Sequence, residues 1–509
     1  MKRGLFVGLA AAVAAGFIML LFRLAFGAPI VPEVLIDWVT SLMPLGLFLL
    51  AVEAFGNWAK PLLVIVLSVI LVAAGGGAGM LWSWLQVRWP WTGTSGKWWA
   101  GTALGLLLWL LAMVVVLPIS GRGFFAVLIQ PWPTAMTLGW LASFLTYALL
   151  LAGLSYRRRV STYMPEGISD TTRRLLIKRL TYIIGGLVVV GGVGGGIWKL
   201  VSSLARRAIP AAMGELTPEV TPNEDFYTVS KNFIDPVVNA ESWKLEVIGL
   251  VERNLIFDYE QLKALPAATQ YLTLECISNN VGGSFIGNAL WKGVRLQEIL
   301  SRAGVKNLVR KVILYGDDDY TDSITLDKAM EVGTLLAYEM NGVPLSDEHG
   351  FPARLLVPGI YGMKNVKWLT KIELVDYDYR GYWQERDWSD KAVIKTMSRI
   401  DVPLPRADYT PDELGSVGGI AFSGDEGISW VEVSTDDGQT WSQAQVKGAL
   451  SPYTWVLWVY NWEPTVEGRY SIKVRATDGK GNLQTSQQSP ALPSGATGYH
   501  SIVVNVVRE

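Results

Sequence analysis

Residues 271 to 283 read YLTLECISNNVGG and hold the single cysteine of a 509-residue chain that also carries 22 tryptophans and 52 glycines. The strand-like run 270–275, QYLTLE, delivers Cys276 to a loop containing Asn279, Asn280, Gly282 and Gly283. A lone thiol has no internal disulfide partner, and free cysteine is among the most buried residue types. A core cysteine sits more often inside an apolar run than at its exit into a polar turn. Glycines in such a turn let backbone approach a bound group closely. A structural zinc site needs about four ligands, whereas this chain has one cysteine and two histidines, His349 and His500. Two chemical roles stay open. One is nucleophilic catalysis with His349 as base; the other is a soft thiolate completing the coordination of a metal held mainly by a cofactor.

Half of all residues are hydrophobic, and the formal net charge is −1. With no basic stripe interleaved with aromatics, nucleic acid is not expected as a partner. The apolar excess lies toward the N-terminus, where six stretches reach the roughly 20 apolar residues of a spanning helix: 4–22, 34–55, 61–85, 98–119, 135–155 and 181–200. Trp38, Trp82, Trp84, Trp98 and Trp99 near their ends fit an interfacial aromatic belt. Asp37 and Glu53 near the ends of one span fit interfacial placement.

With six spans, Arg88, Lys97, Arg157, Arg158, Arg159, Arg173, Arg174, Lys178 and Arg179 fall on one side. Lys2, Arg3, Lys60 and Arg122 fall on the other. The richer set faces the cytoplasm by the positive-inside rule, which places the C-terminal part on the periplasmic or extracellular side. The stretch from Thr172, TRRLLIKRLTYIIGGLVVVGGVGGGI, looks like an internal twin-arginine export signal, with a juxtamembrane basic cluster as the alternative.

Beyond Pro210, Pro218 and Pro222 the character is that of a globular protein. WKLEVIG, KVILYG and KIELVDY read as strands, and YEQLKAL and RLQEILSRAG as short helices, the second ended by Gly304. The mixture indicates an α+β domain. From about residue 398, alternation through Val431, Val433, Ile472, Val474, Ile502, Val504 and Val506, with an Asp-Asp-Gly hairpin turn, indicates a β-sandwich. The chain thus divides into a membrane domain of five helices at 1–155 and a segment at 156–214 with basic cytoplasmic loop, sixth helix and linker. An α+β domain at 215–395 and a sandwich at 396–509 follow.

LECISNNVGG, IGNALWKGVRLQEIL and DEHGFPARLLVPGIYGMKNVKWLTKIEL together resemble the sulfite oxidase superfamily of molybdopterin enzymes, over roughly 215–509. VEVSTDDGQTW and IKVRATDGKGN look like that family's immunoglobulin-like dimerisation domain. The resemblance implies a molybdenum–molybdopterin cofactor with Cys276 as the protein's ligand to molybdenum. Asn232, Ser278, Asn279, His349, Arg354, Lys364 and Lys367 would hold the pterin and its phosphate, since Arg offers a planar fork and Lys a point charge. Lys231 keeps a positive charge at a family Arg position, and Trp388 in YWQERDW stands where eukaryotic members have a Tyr. Asn280 and Val281 replace a double Arg that follows the cysteine loop in those members.

With the apolar N-terminal stretches, the resemblance implies a membrane-anchored oxidoreductase transferring an oxygen atom on a small sulfur oxyanion, sulfite first, with a homodimer through its C-terminal domain as a further expectation. Neither histidine lies in the membrane part, so no haem is expected in this chain. Electrons would pass to a separate carrier, a cytochrome or the quinone pool. The alternatives are an S-oxide reductase, such as one acting on methionine sulfoxide, and a non-catalytic membrane receptor or scaffold reusing the fold.

Overall fold

The computed structural model describes residues 2–42, 59–88, 93–120, 123–126, 133–154, 216–232, 235–405, 408–409 and 416–507. The chain separates into two units, one holding the N-terminal helices and one holding nearly all that follows.

Among the described residues, the helices of the first unit are α1 (Lys2–Phe26), α2 (Val31–Leu42), α3 (Ala59–Arg88), α4 (Gly93–Leu111) and α5 (Pro133–Leu154). A wide π turn at Ala112–Val116 extends α4 through Leu117–Ile119. Among the described residues, four helices are long and apolar enough to cross a membrane: Arg3–Phe26, Leu62–Arg88, Gly96–Ile119 and Thr134–Leu154. They coincide with four of the six expected spans. The second expected span begins as α2 and runs beyond the described residues. The sixth span, the Arg173–Arg174 pair and the 156–214 segment also lie outside them.

Glycines let α1 and α3 approach closely. A Cβ on Gly8 would collide with the Gly75 carbonyl and come within 2.9 Å of Gly79 Cα, as in small-xxx-small packing of apolar helices. Arg23 Nε reaches Glu33 Oε1 at 3.1 Å, while the Ile30 N–H donates to Glu33 Oε2 at 3.0 Å. Trp84, Trp98 and Trp99 are exposed, but Trp82 is buried among Ala11, Tyr147 and Leu151. Its place one residue pair before Trp84 turns it to the packed side of the helix.

In the second unit the order is β1 (Lys244–Gly249), β2 (Leu255–Asp258), α6 (Tyr259–Lys263), β3 (Ala267–Glu275), β4 (Ile286–Arg295) and α7 (Leu296–Ala303). Then come β5 (Lys311–Gly316), β6 (Thr321–Thr325), α8 (Leu326–Met330), β7 (Leu335–Met340), β8 (Val343–Pro344), β9 (Arg354–Leu356) and β10 (Leu369–Val375). One sheet runs β2-β1-β10-β5-β6, and a second runs β3-β4-β7-β8 with β9 paired to β7. Asp258 and Gln261 form a reciprocal capping box on α6, and Gly304, at φ +71°, ends α7. Leu245, Val247, Val312, Leu314, Ile372 and Leu374 alternate inward from the first sheet onto Leu296, Ile299 and Leu300 of α7. Each such side chain contributes roughly 1.5–3 kcal/mol on burial.

The C-terminal strands are β11 (Met397–Val402), β12 (Asp408–Tyr409), β13 (Ser416–Phe422), β14 (Ile428–Ser434), β15 (Ser442–Gln443), β16 (Gln445–Val446), β17 (Val456–Asn461), β18 (Gly468–Asp478) and β19 (His500–Val506). They form sheets β11-β13-β17-β16 and β12-β19-β18-β14-β15. Val417, Val456 and Trp458 of one sheet meet Val431, Val433, Ile472, Val474, Ile502 and Val504 of the other in a single core. The Asp436-Asp437-Gly438 turn joins β14 to β15, with Gly438 at φ +93°.

This sandwich grips the strand that carries the cysteine. The Thr273 N–H donates to the Tyr453 carbonyl at 3.0 Å, and Thr273 Oγ1 accepts from the Trp455 N–H at 3.0 Å. The Arg399 guanidinium donates to the Gly283 carbonyl at 2.9 Å and to Thr217 Oγ1 at 2.8 Å. Gly282, at φ +74°, has the His500 ring where a Cβ would sit, so both its torsion and its contact demand glycine.

Candidate active site

Strand β3 ends at Glu275 because the next residues abandon its ladder for a tight loop. The Cys276 N–H still bonds the Phe285 carbonyl at 2.9 Å, and the Asn279 N–H turns back onto the Cys276 carbonyl at 2.9 Å. Asn279 is buried and braces the loop from inside: its amide donates to Glu275 Oε1 at 3.0 Å, and its Oδ1 accepts from the Phe285 N–H at 3.0 Å. Cys276 Sγ lies 3.0 Å from Ser278 Oγ. Burial pushes the thiol above its ordinary value, against the lowering pull of Ser278. Burial also raises the neighbouring Glu275 carboxyl to about 7, with Asn279 and Arg399 pulling the other way.

Cys276 and Ser278 line a cavity of about 110 Å³ together with Lys231, His349, Arg354, Lys367 and Trp388. His349 sits on a short 3-10 turn, buried edge-on against Phe226, with Nε2 at 3.1 Å from the Asn223 carbonyl. A carbonyl only accepts, so Nε2 carries the hydrogen and Nδ1 is the basic nitrogen. Arg354, at the start of β9, donates to the His349 carbonyl at 3.1 Å and to the Asn365 carbonyl at 3.4 Å. Burial lowers its pKa to about 10. Lys367 Nζ donates to the Glu348 carbonyl at 2.9 Å and lies over the Trp368 ring. Lys231 Nζ donates to the Asp318 carbonyl at 2.6 Å, with Asp318 Oδ2 at 3.8 Å.

Three expected residues do not line the cavity. Asn279 supports the loop from behind. Asn232 is half-buried beside Lys231 in sequence. Lys364 is buried in an ion pair with Asp322 Oδ1 at 2.8 Å and also donates to the Ser323 carbonyl at 2.8 Å. Asn280 is exposed and Val281 half-buried, and neither lines the cavity.

The sequence reading missed Tyr227, Tyr320, Asn365 and Trp383, which line the same cavity. Trp383 stacks on Trp388 with centroids 4.1 Å apart and planes at 15°. The signal for that pair was present in YWQERDW: a turn at Gln384–Arg386 brings the two indoles over one another. Tyr227 and Tyr320 carried no comparable local signal.

The cavity suits an anionic cofactor with a soft-ligated metal. A buried guanidinium without a carboxylate partner among the described residues is costly unless an anion joins it. Arg354 Nε is buried and unpaired, as is the Trp388 indole N–H. Beside them stands a thiol, the protein donor that suits a metal already held by sulfur.

Residues 232–383 match the family described as oxidoreductase molybdopterin binding domain, and residues 391–506 match the Mo-co oxidoreductase dimerisation domain. Mitochondrial sulfite oxidase of Drosophila melanogaster is 30% identical over 351 residues, covering 56% of this chain and 59% of that protein. Sulfite oxidase of Arabidopsis thaliana is 28% identical, covering 54% of this chain and 85% of the other. The uncharacterized oxidoreductase YuiH of Bacillus subtilis is 31% identical over 175 residues, covering 34% of this chain and 86% of that protein. Among solved structures, the sulfane dehydrogenase SoxCD of Paracoccus pantotrophus matches at 23% identity with a TM-score of 0.49, over 58% of this chain and 85% of that one. The chain is an enzyme of the sulfite oxidase family of molybdopterin-dependent oxidoreductases and takes the molybdenum cofactor.

Proposed function

We propose that the chain is a membrane-anchored molybdenum oxidoreductase. It transfers an oxygen atom on a small sulfur oxyanion, sulfite first, outside the cytoplasm, and passes the electrons to a separate carrier. The observation that carries this reading is the meeting of Cys276 with Arg354, His349, Lys367 and Lys231 around one cavity. When bound, the molybdenum centre supplies two-electron oxygen-atom chemistry.

The chain's own residues do the rest. Cys276 loses its proton to become a metal ligand, and Ser278 Oγ beside Sγ stabilises the thiolate by hydrogen bonding. Arg354 and Lys367 hold the anionic end of the cofactor. His349, fixed by Asn223, holds its ring at the cavity wall. Lys231, steadied by Asp318, draws the oxyanion in, and the Trp388 N–H donates to one of its oxygens. The Trp383–Trp388 stack and Tyr320 exclude bulk water, which strengthens these charge-assisted contacts. The C-terminal sandwich pairs two copies as a homodimer.

S-oxide reduction is the second reading. It is favoured by the two stacked tryptophans and by Asn280 and Val281 standing off the cavity. An aromatic wall with a neutral N–H donor suits an uncharged sulfoxide better than a dianion.

Molybdenum analysis of the full chain, purified from a host that makes the cofactor, tests the site. Stoichiometric metal that disappears in Cys276→Ser is the expected result, and metal-free wild-type protein would refute it. Turnover of sulfite with an artificial acceptor, against turnover of methionine sulfoxide with an artificial donor, separates the two substrate readings.

A further inference from the structure

Behind the cavity wall runs a line of buried ionisable groups. The Tyr320 side chain lines the cavity, and its phenol O–H is shared between Asp322 Oδ2 at 3.0 Å and the Met363 carbonyl at 2.8 Å. Asp322 is fully buried on β6. Its Oδ1 meets Lys364 Nζ at 2.8 Å, and Lys364 Nζ reaches Asp390 Oδ1 at 3.4 Å. The Asp390 side chain is 44% exposed. Lys311 steadies it through Oδ2 at 2.8 Å, and Gln384 and the Ser323 N–H steady Asp322. A buried Lys–Asp pair is a poor stabiliser compared with apolar side chains of the same volume. This one also joins the cavity to solvent through three hydrogen-bond contacts.

We infer that Tyr320, Asp322, Lys364 and Asp390 form a proton relay between the cavity and solvent. The inference rests on the proposed oxygen-atom chemistry only in that protons must move, and both directions require it. Oxidation of sulfite with water gives sulfate, two protons and two electrons, the electrons leaving to the separate carrier. Reduction of an S-oxide takes up two protons and two electrons and releases water. Outward, the phenol oxygen accepts a proton from the cavity as its own hydrogen passes to Asp322 Oδ2. A half-turn of the carboxyl presents that hydrogen to Lys364, which has handed one of its own to Asp390 and so to water. Each group ends in its starting state and one proton has crossed.

The test uses the full chain, cofactor-loaded and in detergent. It is mixed in weak buffer containing a pH indicator with reduced methyl viologen, an electron donor that carries no proton. In the wild type, proton uptake keeps pace with viologen oxidation. In Asp390→Asn and in Tyr320→Phe it lags at least tenfold, and azide or imidazole as a small proton carrier restores the Asp390→Asn rate. Uptake at the wild-type rate in both variants, a lag that small carriers do not relieve, or a wild type that takes up no protons would each overturn the relay. No sulfur substrate enters this experiment. Normal proton uptake in a protein that turns over neither sulfite nor sulfoxide would sink the substrate reading alone.

Discussion

His500 makes the stability of the second unit depend on pH in a way that the structure sizes. Its half-buried ring packs on Gly282, and its Nδ1 accepts the Ile400 N–H at 2.9 Å. Burial, and then the positive Arg399 nearby, lower its pKa from 6.5 to about 4. The folded state therefore holds His500 neutral while the unfolded chain protonates it. The contribution is fully present above pH 6.5 and is lost as pH falls through 4. At pH 4.5 the linkage amounts to about 2.5 kcal/mol, taking about 1.36 kcal/mol per pKa unit. At roughly 2 °C per kcal/mol for a unit of this size, His500 alone accounts for a fall in Tm of about 5 °C. The assay is thermal unfolding of the detergent-solubilised chain at pH 7.5 and pH 4.5, wild type against His500→Gln. Glutamine offers Ile400 an acceptor that does not titrate. Carboxylates add their own acid destabilisation equally to both proteins, so the difference between the two falls isolates His500. An equal fall in the two would refute the reasoning.

Three further outcomes are expected. Arg354→Met removes a buried charge without a carboxylate partner, so the cofactor-free protein keeps or gains stability, by up to about 2 kcal/mol, while molybdenum content falls at least tenfold; retained metal would remove Arg354 from the cofactor site. Lys364→Met leaves Asp322 as a lone buried carboxylate and costs about 3–5 kcal/mol. The double variant Lys364→Met with Asp322→Leu recovers most of that loss, and a double-mutant cycle in Tm checks it. Gly8→Leu forces α1 off the Gly75 carbonyl and costs about 1–3 kcal/mol, read as a lowered melting temperature of the N-terminal helices, with molybdenum content in the other unit unchanged.

Much of the cavity lining was legible because it is built from residue types that are rare or specially placed. A single Cys at a strand exit, followed by Asn-Asn and Gly-Gly, marked the loop that turns at Gly282. His349, Arg354 and Lys367 fall within one stretch of 19 residues, before, on and after β9, so local spacing nearly implies their convergence. Lys364 shows where spacing runs out. It lies three residues before Lys367 in the same segment, yet the 3-10 turn Gly362–Lys364 carries it inward to Asp322 and away from the cavity. A one-dimensional pattern records that a lysine is present; the partner that neutralises it comes from a distant strand.

The sequence alone determined what local physics determines: apolar stretches long enough to span a membrane, period-2 strands, capped short helices, and a single thiol set at a strand exit into a glycine-rich turn. Only the tertiary structure decided what distant contacts decide. It brought Tyr227, Tyr320 and Trp383 to the cavity, set Arg399 and His500 of the sandwich against the glycines of the cysteine loop, and buried Asp322 with Lys364. The physical reason is that a side chain's charge state and partners depend on which groups share its volume. Residues separated by more than 100 positions, such as Gly283 and Arg399, share that volume only after folding.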